Sequence, residues 1–191
     1  LMSFNIIRGL YGFNGKLYFS ADPNNTGEEL WRSNGTVNGT YLLKDLNGVV
    51  GASLPCNFYK TNNTLFFTAA TNDGWELWKT DGTNSGTVMV KDIFPGGNSG
   101  VMDTYSEKYF SHIGDTLYFA AKDNNSGYQL WRSDGTGAGT VSVSNVPNGI
   151  LLTSPFSIVE GNVAFYSFYS DRFWMYSPSL DSSYITNYPA F

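Results

Sequence analysis

Two carboxylates stand at matching places in near-identical stretches, ELWRSNGT (Glu29 to Thr36) and ELWKTDGT (Glu76 to Thr83). A pair of acids flanking one bond is what glycoside hydrolysis requires. A third copy, QLWRSDGT (Gln129 to Thr136), holds an amide at that place, and the corresponding fourth position is Arg172. Matching positions of a ring are spread around it, and no nucleophile, base and orienting group accompany these acids. Catalysis by Glu29 and Glu76 is not expected.

Other reactive types give equally modest signals. His112 is the single histidine, has no counterpart in the other copies, and reads as structural. Asp22 with Asn24, and Asp123 with Asn125, place side-chain oxygens two residues apart, the start of a calcium-loop pattern. Without further carboxylates they read as turn-forming residues, so no metal and no cofactor is expected. Cys56 is the single cysteine; it has no disulfide partner and reads as a small packed residue. Five Asn-x-Ser/Thr sequons are no more than chance supplies in so Asn-rich a chain.

The repetition is the stronger signal. Trp31, Trp78, Trp131 and Trp174 are separated by 47, 53 and 43 residues. Each follows an alternating apolar run: GKLYFSA, TLFFTAA, DTLYFAA and the weaker NVAFYSF. Before these runs lie the turn pairs Asn14-Gly15, Asn62-Asn63, Gly114-Asp115 and Gly161-Asn162, which suit two-residue hairpins. Another short strand precedes each turn, with Phe13, Tyr59, Phe110 and Ile158 in the innermost strands.

After Trp31, Trp78 and Trp131 come Asn-Gly-Thr or Asp-Gly-Thr and a β-branched run such as TVMVKDI (Thr87 to Ile93). Asp81 with Gly82 and Asp134 with Gly135 are expected to close these loops by side-chain-to-backbone bonds. No segment has the 3.6 period of a helix. The prediction is an all-β, β-propeller-like fold of four blades, each of four antiparallel strands, as a small closed ring or part of a larger one. The units run approximately 1–46, 47–93, 94–146 and a degenerate 147–191, within a single repeat domain. Leu and Trp of each copy fall on opposite faces, and face-to-face blade packing would bury both.

The stretches ELWRSNGTVNGT, ELWKTDGTNSGT and QLWRSDGTGAGT resemble the ELWxxDGT repeat, together with the LYFSA-type strand before them and the LLKDL-type strand after. The fourth, FWMYSPSLDSSY, keeps Trp174 but lacks Asp-Gly-Thr. The resemblance implies large secreted or surface-attached bacterial proteins built of tandem propeller repeats, and it implies no defined catalytic activity.

Composition narrows the classes further. The chain has 191 residues, a net charge of −5 and only eleven Lys and Arg. These form no cluster, so a nucleic-acid partner is not expected. No apolar run approaches the ~20 residues of a membrane helix. The chain opens at Leu1 without a secretory leader and reads as a piece of something longer. An extracellular or cell-surface adhesion module follows as the expectation, with surface glycans or other surface proteins as partners. A hydrolase or lyase would need an acid cluster near the ring axis.

The positions that vary between copies are the candidate binding residues. The residue before Glu29, Glu76 or Gln129 is Glu28, Trp75 or Tyr128, with Asp171 in the fourth unit. That variety predicts an exposed site, where Trp75 and Tyr128 could stack on sugar rings. The four repeat tryptophans are predicted to be buried. Register counted from Ser33 opposite Thr40 puts Glu29 across from Lys44, and Glu76 across from Lys91. Gln129 then faces Ser144 and Arg172 faces Asn187, so both charges disappear together. The Glu residues are accordingly expected to form cross-strand ion pairs.

Overall fold

In the computed structural model, residues 4–48, 51–102, 109–125, 127–150, 155–167 and 170–186 are described. Among the described residues sixteen strands form four antiparallel sheets in sequential order. Blade 1 comprises β1 (Ile6–Phe13), β2 (Lys16–Asp22), β3 (Glu29–Ser33) and β4 (Tyr41–Lys44). Blade 2 comprises β5 (Cys56–Lys60), β6 (Leu65–Thr71), β7 (Gly74–Thr80) and β8 (Val88–Lys91). Blade 3 is built from β9 (Phe110–Ile113), β10 (Thr116–Ala121), β11 (Gln129–Ser133) and β12 (Val141–Ser142). Blade 4 is built from β13 (Ser157–Val159), β14 (Asn162–Ser167), β15 (Arg172–Ser177) and β16 (Ser182–Ile185). Each predicted innermost residue lies in the first strand of its blade.

The alternation of a strand gives each blade two apolar faces. At the first interface Tyr18, Leu30 and Leu43 of blade 1 meet Leu65, Phe67 and Trp78 of blade 2. At the second, Phe66, Leu77 and Val90 meet Leu117, Phe119 and Trp131. At the third, Tyr118, Ala120 and Leu130 meet Val163, Phe165 and Tyr176. Thus Leu points to one neighbour and Trp to the other, as the sequence predicts. Trp31, Trp78 and Trp131 are buried, but Trp174 is only partly so. Its indole N–H donates to Ser170 Oγ (3.1 Å), which holds the ring near the surface. The other three indole nitrogens of the repeat have no hydrogen-bond partner among the described residues, so packing holds these rings, with the Lys91 ammonium 5.7 Å over that of Trp131.

The outer loops explain the rest of the repeated motif. Asp81 Oδ1 accepts from the Thr83 N–H (2.8 Å) and hydroxyl (2.7 Å), and Asp134 binds Thr136 with the same distances. Four hydrogen bonds to Thr83 and Thr136 thereby hold both carboxyls below their usual pKa range. Gly82 and Gly135 supply positive φ (91° and 85°). The second glycine has a different reason. A Cβ on Gly86 or Gly139 would collide with the Asp81 or Asp134 carboxylate.

Two turn assignments differ from the sequence reading. In blade 4 the left-handed pair is Glu160-Gly161 (φ 50° and 75°), because β14 already begins at Asn162. Asn62-Asn63 turns without positive φ, closed by Thr61 N–H to Thr64 O (3.0 Å).

The larger correction concerns β3–β4. Trp31 faces Leu42, yet Leu30 faces Lys44, so Leu43 is an extra bulged residue. The same shift occurs between Leu77/Lys91 and Trp78/Met89, with Val90 bulged. A bulge re-aims side chains, and Leu43 and Val90 turn into the blade interfaces. It also moves both lysines out of reach of the predicted Glu partners. Lys44 Nζ instead donates to Thr87 O (2.7 Å) and Asn84 O (3.2 Å) of blade 2. Lys91 Nζ donates to Thr140 O of blade 3 (2.8 Å). The expected Glu29–Lys44 and Glu76–Lys91 ion pairs do not exist; Asn187, expected opposite Arg172, lies outside the described residues.

These lysines belong to a set of latches. Arg32 Nη1 donates to Gly82 O of the next blade, and Arg132 Nη1 to Tyr176 Oη (3.0 Å) and Asp181 Oδ1 (3.1 Å). The outer strands of the first three blades therefore grip the outer hairpin of the blade that follows. Outside the three interfaces, Phe4 covers Trp31 edge-on with ring centroids 5.1 Å apart. Leu10 and Leu42 of blade 1, and Phe173 and Ile185 of blade 4, remain exposed. Among the described residues no apolar cluster joins the first blade to the fourth.

Because Trp78 is sealed between two blades, Trp78→Ala should cost roughly 3–5 kcal/mol. Trp174→Ala, at a half-exposed ring, should cost clearly less. Chemical denaturation of the two variants measures the difference, and equal losses would contradict the burial pattern.

Candidate functional site

The recurrent acids are placed by β3 and β7 at the start of each third strand, pointing toward the linker that leads to the next blade. Glu29 accepts from the N–H groups of Leu46 (2.8 Å) and Ser53 (3.0 Å) and from the Ser53 hydroxyl (2.5 Å). Glu76 accepts from Ile93 N–H (3.1 Å), Phe94 N–H (3.4 Å) and Gly100 N–H (2.9 Å). Gln129 does the same work with an amide: Oε1 accepts from Val146 N–H (2.9 Å), and Nε2 donates to Val146 O (3.0 Å). Arg172, at the corresponding place in blade 4, is exposed.

Main-chain bonds beside these side chains complete the capture. The carbonyls of Glu28, Trp75 and Tyr128 accept from the N–H groups of Ser53 (3.0 Å), Gly100 (3.0 Å) and Ile150 (2.6 Å). Glu76 has no exposed surface, and a Cβ on Gly100 would lie 2.7 Å from its carboxylate. Burial without a cation dominates its titration and raises its pKa to about 7, although three backbone donors oppose the shift. Glu29 is raised for the same first reason.

The variable position behaves differently from copy to copy. Trp75 and Tyr128 are half-buried, packed beside the second and third interfaces, so they are partly exposed as predicted. Lys122 Nζ lies over the Tyr128 ring at 5.3 Å and over Phe94 at 5.8 Å. Glu28, predicted to be exposed, is instead buried. Ser20 Oγ donates to it at 3.0 Å and Arg8 Nε lies 3.7 Å away, so polar partners replace solvent.

The calcium candidates are turns. Asp22 Oδ1 accepts from the N–H groups of Asn24 (3.2 Å) and Thr26 (3.0 Å), and Asp123 Oδ1 from that of Asn125 (2.9 Å). Asn24 and Asn125 are exposed. Among the described residues no three His, Cys, Asp or Glu converge as metal ligands. Cys56 is buried beside Thr68 Oγ1 (3.3 Å).

A cleft of about 630 Å³ opens where the β1–β2 and β5–β6 turns meet the end of β9. Lys16, Asn34, Lys60, Thr61 and His112 line it. In the sequence the lysines and arginines form no cluster, and neither Lys16 nor Lys60 stands out as a candidate. The signal was present, however: Gly12, Lys60 and His112 pair with Leu17, Leu65 and Leu117, one position in three successive blades.

No protein-family model matches the chain, and no curated protein does. Solved structures do. Puromycin hydrolase matches with a TM-score of 0.60 at 10% identity over 96% of this chain, and its S511A mutant complexed with PGG matches with 0.61. TolB from Acinetobacter baumannii matches with 0.44 at 13% identity, covering 92% of this chain and 41% of that one. The chain spans 29% of the length of puromycin hydrolase. At such identity the likeness is one of fold, and the chain is β-propeller-like.

The raised pKa of Glu76 has a definite sign. Unfolded, the group titrates near 4.5; folded, near 7. The folded state thus holds a proton that the unfolded state has lost between these values. Its stabilising contribution is complete below pH 4.5 and disappears as pH rises through 7, a change of roughly 3 kcal/mol. Glu76→Gln copies Gln129 and removes this proton. Denaturation at pH 5 and pH 7.5 should show the stability gap between wild type and Glu76→Gln shifting toward the variant by about that amount. A gap independent of pH would refute the buried, protonated carboxyl.

Proposed function

We propose that the chain is a non-catalytic propeller module that presents loops for binding at an extracellular or cell surface, in structural or adhesive contacts. The observation that carries this reading is the use of the recurrent acids. Glu29 and Glu76 are engaged with backbone N–H groups of their linkers, Glu29 with the Ser53 hydroxyl as well, and Gln129 holds its linker without a charge. An acid whose place an amide can take is a clamp rather than a proton donor. The close ELWxxDGT-like repeats support the surface setting, with glycans or surface proteins as the partners. The hydrolase in the name of a structural neighbour is that protein's own property.

A second reading, glycan binding through Trp75 and Tyr128, is favoured by their partial exposure at one varying position in adjacent blades. Beads coated with the chain should adhere to films of polysaccharide or surface protein without releasing reducing ends. Trp75→Ala should leave the melting temperature close to wild type, and loss of adhesion in that variant alone would select the second reading. Release of reducing ends would overturn the non-catalytic reading.

A further inference from the structure

We propose that the cleft at the inner turns is a binding site for an acidic oligosaccharide, a short chain of uronate residues. This deepens the reading of the module as a non-catalytic binder and rests on it.

The cleft is a basic spot on an acidic protein. The chain carries a net charge of −5, yet the lining contains Lys16, Lys60 and His112 and no Asp or Glu. Neither lysine ammonium has a hydrogen-bond or ion-pair partner among the described residues. That separates them from Lys44 and Lys91, which are spent as latches on backbone carbonyls. The neighbouring acid on the blade 3 turn, Asp115, is held through both oxygens by Asn63 N–H (3.1 Å) and Nδ2 (2.7 Å). His112 lines the cleft, and the Tyr59 hydroxyl lies 3.2 Å from its Nδ1.

The placement of these groups selects the ligand. Lys16, Lys60 and His112 come from three successive blades, so this set of polar groups is spread along the inner edge instead of coming from one blade. A single small anion could satisfy only part of it. A ligand with repeated carboxylates satisfies all of it, each carboxylate taking a charge-assisted hydrogen bond. The same lining holds Asn34, Thr61 and the exposed side chain of Leu17. Amide and hydroxyl groups suit sugar hydroxyls, and Leu17 offers an apolar patch for the C–H face of a pyranose. The volume of about 630 Å³ lies within the range of about 300–1,000 Å³ common to small-ligand sites.

Calorimetric titration of the whole chain with trigalacturonate tests this, with cellotriose and inorganic sulfate as controls. Saturable binding is expected for trigalacturonate, clearly weaker for both controls and weakened several-fold by about 0.5 M salt, where screening is short-ranged. The double variant Lys16→Gln/Lys60→Gln should bind at least about tenfold more weakly at an unchanged melting temperature. Equal affinity for cellotriose, equal affinity in the lysine variant, or no saturable binding would each overturn the site. Sulfate binding as tightly as trigalacturonate would overturn its assignment to an oligosaccharide. Adhesion of coated beads without trigalacturonate binding sinks this inference and leaves the module reading standing. Shortening of bound trigalacturonate would keep the site and sink the non-catalytic reading.

Discussion

A four-stranded blade with leucine on one face and tryptophan on the other cannot bury either face alone. Everything else in this chain follows from that constraint. Leu30, Leu77 and Leu130 need the next blade, while Trp78 and Trp131 need the preceding one. Burying a large aromatic side chain is worth several times a net hydrogen bond, so packing dictates which blades must adjoin. Polar contacts then fix how they adjoin. The latches from Arg32, Lys44, Lys91 and Arg132 all end on the outer hairpin of the following blade. Sliding one face along the other would break them at once. The outer hairpin is in turn rigid because Asp81 or Asp134 binds its own loop.

The buried acids solve a related problem at the connections. A linker passing from one outer strand to the next innermost strand carries backbone N–H groups that no sheet ladder satisfies. Glu76 collects three of them, Glu29 collects two and a hydroxyl, and Gln129 collects one and a hydroxyl while returning a donor. A carboxylate accepts through two oxygens, which suits the longer captures, but its desolvation is unfavourable. The cost shows as the upward pKa shift of Glu76. An amide avoids that desolvation and accepts less, which accounts for Gln129 serving where only Val146 and Ser144 must be held.

Much of the fold was legible because its signals are local and repeated. The alternating runs, the Trp spacing and the Asp-Gly-Thr loops gave the strand order and the two-faced blades. The register of the outer strand pair was not legible. A β-bulge is a one-residue event, and TYLLKDL or TVMVKDI would alternate acceptably with or without it. Leu43 and Val90 become bulged because the interface rewards an extra buried side chain there, a tertiary effect with no local mark. The supposed Glu–Lys pairs failed for that reason. In blades 1 and 2 the Glu and the Lys each touch the neighbouring connection or blade, not each other, whereas in blade 3 the Ser144 hydroxyl does donate to Gln129 Oε1 (2.8 Å). Glu28 failed differently: Arg8 and Ser20, distant or unremarkable in sequence, make a buried carboxylate tolerable.

The same reasoning separates scaffold from site. Residues shared by the copies are committed to packing, looping or linker capture, so their repetition reports architecture. Binding has to come from positions where one fold tolerates different side chains. At the residue before the clamp, the main-chain carbonyl is fixed in all three copies while the side chain ranges over Glu28, Trp75 and Tyr128. At the inner edge, Gly12, Lys60 and His112 share one register position, and none is needed to pair its strand. Ladder bonds come from the backbone, which frees these side chains from any role in holding the sheet. A propeller can therefore acquire charge along its inner edge without disturbing the blades, and this chain has placed uncompensated lysines there despite its overall negative charge.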